Sequence, residues 1–169
     1  MSKDPQDQFL QLYDEKSDAI FRHLFFRISD REKALDMMQE TFERTWKYIS
    51  KGNEIDNMKA FLYRVANNLL IDEYRRRKQI ASLDYLHEKG IDVGSGNKEK
   101  DAIYDRADVH LALQYVERLP EKDRHMIVMR YVDDLSIKEI SEITDLPENN
   151  VSVRIHRALK KLRNNFELS

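Results

Sequence analysis

The sequence predicts an all-α protein of two small helical domains joined by a flexible linker. Three observations carry that prediction. The 169 residues include only four glycines and three prolines. Long stretches repeat apolar residues at the 3.6-residue helical period. Between about residues 81 and 103 that period is lost in a run that carries Gly90, Gly94-Ser95-Gly96 and the charged NKEKD. A length of this order suits one compact domain or two small ones. The expected organisation is a three-helix domain over 1–80, a linker over 81–103 and a four-helix domain over 104–169.

The composition excludes several classes. The chain has no cysteine, so disulfides and thiolate-bound metals are ruled out. His23, His87, His110, His125 and His156 are scattered, and no two stand at the i, i+4 spacing of a helical metal site. There is no glycine-rich phosphate loop and no nucleophile motif, so neither metal nor cofactor is expected, nor an enzyme. The N-terminus is polar, and no apolar run reaches the ~18 residues that span a bilayer. The expectation is a soluble cytoplasmic protein with no direct membrane insertion. Formal net charge is −2, but it is unevenly spread. Residues 51–80 carry 7 basic and 4 acidic side chains, 81–110 carry 4 and 7, and 151–169 carry 5 and 1. A protein that held DNA alone through phosphates would usually be basic overall. If this one binds DNA, a partner must supply much of the affinity.

Residues 6–28 form the first expected helix, with Phe9, Leu10, Tyr13, Ile20, Leu24, Phe25 and Ile28 apolar. Ser29-Asp30-Arg31-Glu32 matches a capping box with Ser29 at the N-cap. The second helix runs to about Ser50 on a stripe of Ala34, Met37, Met38, Phe42, Trp46 and Ile49. Its other face carries Asp36, Gln39, Glu40 and Glu43. Two readings fit that face: solvated charge laced by Glu40–Arg44 and Glu43–Lys47 pairs, or an acidic docking surface. Gly52 can end this helix, and Asp56 or Asn57 can cap the next.

The third helix, from Ala60 to Lys78, is the centre of the chain: AFLYRVANNLLIDEYRRRK. A surface helix shows one apolar stripe, whereas this one is apolar around most of its girth. It should therefore lie against its own neighbours on one side and something else on the other. Asn67 and Asn68 sit at its middle, and Arg75, Arg76, Arg77 and Lys78 close its end. Amides suit base edges and cations suit phosphates; the cations would equally complement the helix dipole.

Beyond the linker, Ala107, Leu111, Leu113, Val116 and Leu119 mark a helix closed before Pro120, and Asp123 to Val132 marks another. Ser136-Ile137-Lys138-Glu139 is a second capping box. Its short helix ends in the turn Thr144-Asp145-Leu146-Pro147, and Asn149 or Asn150 opens a final helix to about Asn164. Two short helices across such a turn make a helix-turn-helix. The outward face of the second carries Asn149, Asn150, Val153, Arg154, His156, Arg157 and Lys160, opposite a seam of Val151, Ile155, Ala158 and Leu162. Those side-chain types suit the major groove.

These stretches together resemble the sigma subunits of bacterial RNA polymerase, most closely the small extracytoplasmic-function group. DMMQETFERTWKYI and AFLYRVANNLLIDEYRRRK match the first domain of that family. LPEKDRHMIVMRYVDDLSIKEISEITDLPENNVSVRIHRALKKLR matches the second. The resemblance implies a transcription-initiation factor that binds core RNA polymerase through the clamp helices of the largest subunit and through the flap, and that recognises promoter DNA. Asp36, Gln39, Glu40, Phe42, Glu43 and Trp46 stand where the family docks on polymerase. Asn53, Ile55 and Asn57 belong to the loop Lys51–Met58, where the family holds a flipped base of the −10 element. Arg64, Asn67, Asn68, Arg75, Arg76 and Arg77 lie on the helix that reads and melts that element. Asn149, Asn150, Ser152, Val153, Arg154, Arg157 and Lys160 stand where the −35 element is read; many relatives carry a polar residue in place of Val153. The resemblance also implies a possible anti-sigma factor as antagonist. A stand-alone helix-turn-helix regulator is the alternative, though it would have no use for the first domain.

The linker sets a geometric condition. About 25 flexible residues have a root-mean-square span of only ~25–30 Å. Two DNA elements two helical turns apart are ~70 Å apart. A partner must therefore hold the two domains apart on DNA.

Overall fold

The computed structural model describes residues 4–87, 111 and 114–167. Most of the expected linker and much of the helix expected around Ala107 and Leu113 lie outside these residues. Every regular element among the described residues is helical, as the composition requires.

Helix α1 (Pro5–Ile28) starts on Asp4, whose carboxylate accepts from the Gln6 backbone N–H, with Pro5 in the first turn. It ends at Ser29, which turns left-handed (φ 60°) and donates its N–H to the Phe25 carbonyl. Ser29 is thus the C-cap of α1 and not the N-cap expected for the next helix. Asp30 takes that role: its backbone is extended, and its carboxylate accepts from Lys33 N–H at 3.1 Å. With only two residues between the helices, one must reverse the chain while the other caps α2 (Arg31–Ser50). In α2 the buried Thr41 and Thr45 hydroxyls donate to the Met37 and Thr41 carbonyls, so the core holds them without unpaired donors. Gly52 follows at φ 85°, donating to the Ile49 carbonyl, as its position in the turn predicts.

Helix α3 (Met58–His87) begins on Asn57, whose side chain accepts from Ala60 N–H. It continues through residues 81–87, which the sequence assigned to the linker. No glycine or proline interrupts the chain before Gly90, and Ala81 and Leu83 are good helix formers.

Residues 114–117 are helical. Helix α4 (Glu121–Ile127) then starts behind Pro120, two residues before the expected Asp123, and widens into a π-helical turn over Val128–Val132. Asp133 N–H donates across that turn to the Val128 carbonyl. Helix α5 (Ile137–Thr144) carries the predicted Ser136 cap, which accepts from Glu139 N–H at 3.0 Å. Asp145 closes it in the left-handed region (φ 57°). Helix α6 (Glu148–Glu167) begins just ahead of Asn149, because Val151 N–H already reaches the Pro147 carbonyl. α5, its turn and α6 form the expected helix-turn-helix.

Helices α1, α2 and α3 pack as a three-helix unit, and the helix-turn-helix packs on its far side. Ile20, Leu24, Met37, Phe42, Leu62 and Leu70 join Met129, Leu135, Ile140, Ile143, Val151 and Ile155 in one apolar cluster. This explains the apolar girth of α3. One side faces α1 and α2, and the other faces α5. At the junction a buried polar node joins the halves. The His23 ring on α1 lies 2.5 Å through Nδ1 from Asp133 Oδ2. Arg27, one turn along, approaches Asp133 at 3.9 Å and donates to the carbonyls of His23 and His125. Burial, and then the Arg27 charge, hold the His23 ring below its ordinary pKa despite the opposing pull of Asp133. The ring is thus neutral, with Nδ1–H donating to Asp133 and Nε2 left as the acceptor; Arg27 Nη1 lies 2.9 Å from Nε2 and 2.7 Å from Nδ1.

Candidate nucleic-acid and protein interfaces

Three surfaces hold the residues that the sequence marks. The first surrounds the 51–57 loop and α3. The left-handed Gly52 turns the loop back, and Asn53 ties it down by donating to the Tyr48 carbonyl at 2.9 Å. Between loop and helix lies a hollow of about 330 Å³, lined among others by Tyr48, Ile55, Asn57, Phe61 and Arg64. The Tyr48 and Phe61 rings meet at 4.9 Å between centroids. A polar-rimmed hollow with aromatic walls can receive a planar base by stacking. Tyr48 and Phe61 were not among the marked residues. Their signal was available: Tyr48 is an exposed aromatic lying off the apolar stripe beside a glycine turn.

Further along α3, Asn68 is exposed while Asn67 is buried at 4%, its Oδ1 without a hydrogen-bond partner among the described residues. Arg64 grips the Asp145 carboxylate with one nitrogen, 2.8 and 2.7 Å from its two oxygens. Arg75 is exposed. Arg76 and Arg77 are bound by Glu73, which also takes Lys33 at 2.8 Å. Burial pushes the Glu73 carboxyl up, but hydrogen bonds from Arg76, Lys33 and Arg77 outweigh it and hold the pKa at about 2. Two of the four terminal cations are therefore partly neutralised by their own helix.

The second surface is the outer face of α2. Asp36, Gln39 and Glu43 are exposed there and Glu40 is half-buried. The expected pairs form, Arg44–Glu40 at 2.6 Å and Lys47–Glu43 at 3.0 Å. Phe42 does not belong to this face. It is buried in the core against Phe9 and Tyr13. Trp46 is half-buried, its ring 5.1 Å from that of Phe9. Both aromatics set the height of the acidic face from beneath.

The third surface is the outer face of α6. Asn149, Asn150, Ser152, Val153, Arg157 and Lys160 are all exposed, and Val151, Ile155 and Ala158 are buried beneath them. Arg154 stands half-buried at the edge, facing a cleft of about 490 Å³ between the halves. Lys161 ties the helix to α4 through Asp123 at 2.6 Å. Among the described residues no cluster of His, Asp or Glu could hold a metal ion, and no helix is long and apolar enough to cross a membrane.

A helix-turn-helix behind a three-helix unit with an acidic flank and an amide-bearing central helix defines a class: a promoter-recognition subunit of bacterial transcription. Comparison with known proteins places the chain within it. Residues 12–80 match the family model for sigma-70 region 2, and residues 110–162 match that for sigma-70 region 4. The ECF RNA polymerase sigma factor SigW of Bacillus subtilis is 31% identical over 170 residues, covering 96% of this chain and 91% of the relative. RNA polymerase sigma factor SigV of the same organism is 31% identical over 89% of this chain and 85% of its own length. The fold resembles that of the sigma factor RpoE of Bartonella quintana, solved in complex with the anti-sigma factor NepR. The TM-score is 0.75 at 18% identity, covering 96% and 98% of the two chains. CnrH, solved with the cytosolic domain of CnrY, gives a TM-score of 0.69 at 21% identity, over 97% and 90%. This chain belongs to the extracytoplasmic-function sigma factors, which recognise promoters and initiate transcription with RNA polymerase.

Proposed function

We propose a division of labour in which residues 1–80 dock on core polymerase and hold the −10 element, and residues 104–169 read the −35 element. The observation that carries this reading is the aromatic-walled hollow beside an exposed Asn68 and the Arg64 and Arg75 cations on one helix. Opening a promoter costs a few kcal/mol for each base unpaired and extruded. The hollow offsets part of that cost by stacking one base between loop and helix. Asn53, Ile55 and Asn57 shape its mouth, and Asn68 reads a neighbouring base edge. Arg75, with Arg76 and Arg77 once drawn from Glu73, takes the backbone phosphates. Asp36, Gln39, Glu40 and Glu43 meet the clamp helices of the polymerase largest subunit, while Phe42 and Trp46 hold that face in place. On α6, Asn149, Asn150, Ser152, Val153, Arg154, Arg157 and Lys160 lie in the major groove, and the second half also meets the flap.

The mechanism is binding, not covalent chemistry, and the protein acts in the cytoplasm without being an enzyme. An anti-sigma factor is a further partner. The cleft between the halves suits an amphipathic helix, since Ile71, Met126 and Met129 line it beneath Arg75, Lys78 and Arg154.

The test is transcription in vitro with sigma-free core polymerase and fragmented genomic DNA, mapping transcript 5′ ends. Discrete new starts preceded by two shared motifs about two turns apart are expected, and they should vanish in the R154A/R157A chain while core binding persists. Starts that survive in that chain would refute the assignment of α6, and absence of core binding would return the protein to the stand-alone regulators.

A further inference from the structure

The cleft between the halves is apolar only in part. Asn67 also lines it, 4% exposed, and its Oδ1 has no hydrogen-bond partner among the described residues. A buried acceptor left unpaired costs free energy that a suitable donor recovers. Four cations line the same cleft, Arg75 and Lys78 of α3, Lys122 of α4 and Arg154 of α6. None of the four has a hydrogen bond or ion pair among the described residues, whereas Arg64, Arg76, Arg77 and Lys161 near by all hold carboxylates. Two carboxylates line the cleft, but Asp145 is taken by Arg64, which leaves Glu121. The walls include the rings of Tyr74 and His125, edge to face at 5.5 Å between centroids. The Tyr74 ring is fixed, because its hydroxyl donates to the Arg27 carbonyl at 3.1 Å.

We propose that this cleft binds a purine nucleotide, with the base on the Asn67 amide beside Tyr74 and His125, the ribose on Glu121 and the phosphates on Arg75, Lys78, Lys122 and Arg154. The three parts of the site match three parts of one molecule. An Asn amide carries an acceptor and a donor side by side. That is the complement of a purine edge: the amino group and ring nitrogen of adenine, or the ring N–H and carbonyl of guanine. Aromatic rings and the thioethers of Met126 and Met129 suit the flat faces of such a base. A carboxylate accepts from ribose hydroxyls, and Lys and Arg donate to phosphate. The volume of about 490 Å³ lies within the ~300–1,000 Å³ of small-molecule sites, which favour the junctions of domains. A bound nucleotide touches α3 of the first half and α4 and α6 of the second together. It therefore favours the closed packing of the two halves by mass action.

Isothermal titration of the full chain with ATP, GTP and inorganic triphosphate tests the site, with thermal unfolding of the same samples. Expected is one site that takes ATP or GTP at least about tenfold more tightly than inorganic triphosphate, and an unfolding temperature that rises with nucleotide. K78A/K122A, at two exposed positions, should weaken nucleotide binding about tenfold. Asn67→Leu, similar in shape but apolar, should weaken it by as much. The same substitution should leave the free chain at least as stable, since it removes an unpaired buried acceptor. A merely structural Asn67 would give the opposite result. Inorganic triphosphate bound as tightly as either nucleotide reduces the site to a polyanion patch and overturns the base contact. No binding of ATP or GTP at millimolar concentration overturns the proposal, as does an affinity unchanged in both variants. Full affinity in Asn67→Leu, or a distinctly lower unfolding temperature of that free chain, overturns the role of Asn67.

Discussion

Closure should weaken in mild acid, by an amount the junction sets. Two histidines are held neutral there. His23 faces Arg27 on its own helix, the Tyr63 ring of α3 at 5.1 Å, and Asp133 beyond the π-helical turn. His125 faces Tyr74 of α3 across 5.5 Å, with Arg27 and Arg124 near by. Burial lowers His125 most, helped by Arg27, His23 and Arg124, to about 2. Once the halves part, both rings meet water and titrate near the ordinary value of ~6.5. The closed state therefore binds fewer protons than the open one. Its advantage is full above about pH 6.5 and is lost as pH falls below that value. Between pH 7.5 and 5.5 the His125 ring favours opening by about tenfold, or ~1.4 kcal/mol, and His23 adds to it in the same direction. The interval lies above the ordinary carboxylate range. Energy transfer between dyes at Lys47→Cys and Arg163→Cys measures the ratio directly. His125→Gln should remove about tenfold of the pH effect and leave only the part that His23 contributes. A ratio that does not move between pH 7.5 and 5.5, or that moves equally in the variant, would refute the neutral-ring junction.

Other substitutions separate the roles of the three surfaces. Asn68→Ala should weaken promoter opening by about 1–3 kcal/mol with little change in polymerase affinity; permanganate footprinting and a core-binding titration compare the two, and equal loss in both removes Asn68 from the DNA. D36R/E40R should cut polymerase affinity at least about tenfold, because like charge replaces a complementary face, with circular dichroism unchanged; unaltered affinity rejects the docking face. Leu24→Ala, at a fully buried position, should cost about 2–5 kcal/mol in urea unfolding, and a smaller loss would mean that the site collapses around the change. The Glu73 carboxyl is held at about 2 against an ordinary value of 4.5, so its stabilising contribution is complete above pH 4.5 and lost as pH falls toward 2. The parent chain should lose more stability than Glu73→Gln over that range, and parallel curves would remove the Glu73 cluster from the account.

Much of what neighbours within a turn or two govern was legible in the sequence. The α1–α3 succession, the Ser136 cap, the Gly52 turn, the Arg44–Glu40 and Lys47–Glu43 pairs and the helix-turn-helix follow from side chains three and four residues apart. Errors arose where two local rules competed. Ser29 and Asp30 both suit an N-cap, and only the need to reverse the chain between α1 and α2 decided between them. Residues 81–87 lack a clear apolar stripe, yet without a glycine or proline the helix runs on through them.

The sequence by itself determined the class of fold, the order of its helices, the family and which side chains face outward on α6. The tertiary structure alone decided which of the marked residues are free. His23 meets Asp133 across 110 residues, and Arg64 meets Asp145 across 81. No helical period relates positions so far apart. Whether α3 presents its amides and cations to solvent or to α5 depends on the fit of two surfaces joined through a linker, and that fit is a property of the packed core shared by both halves.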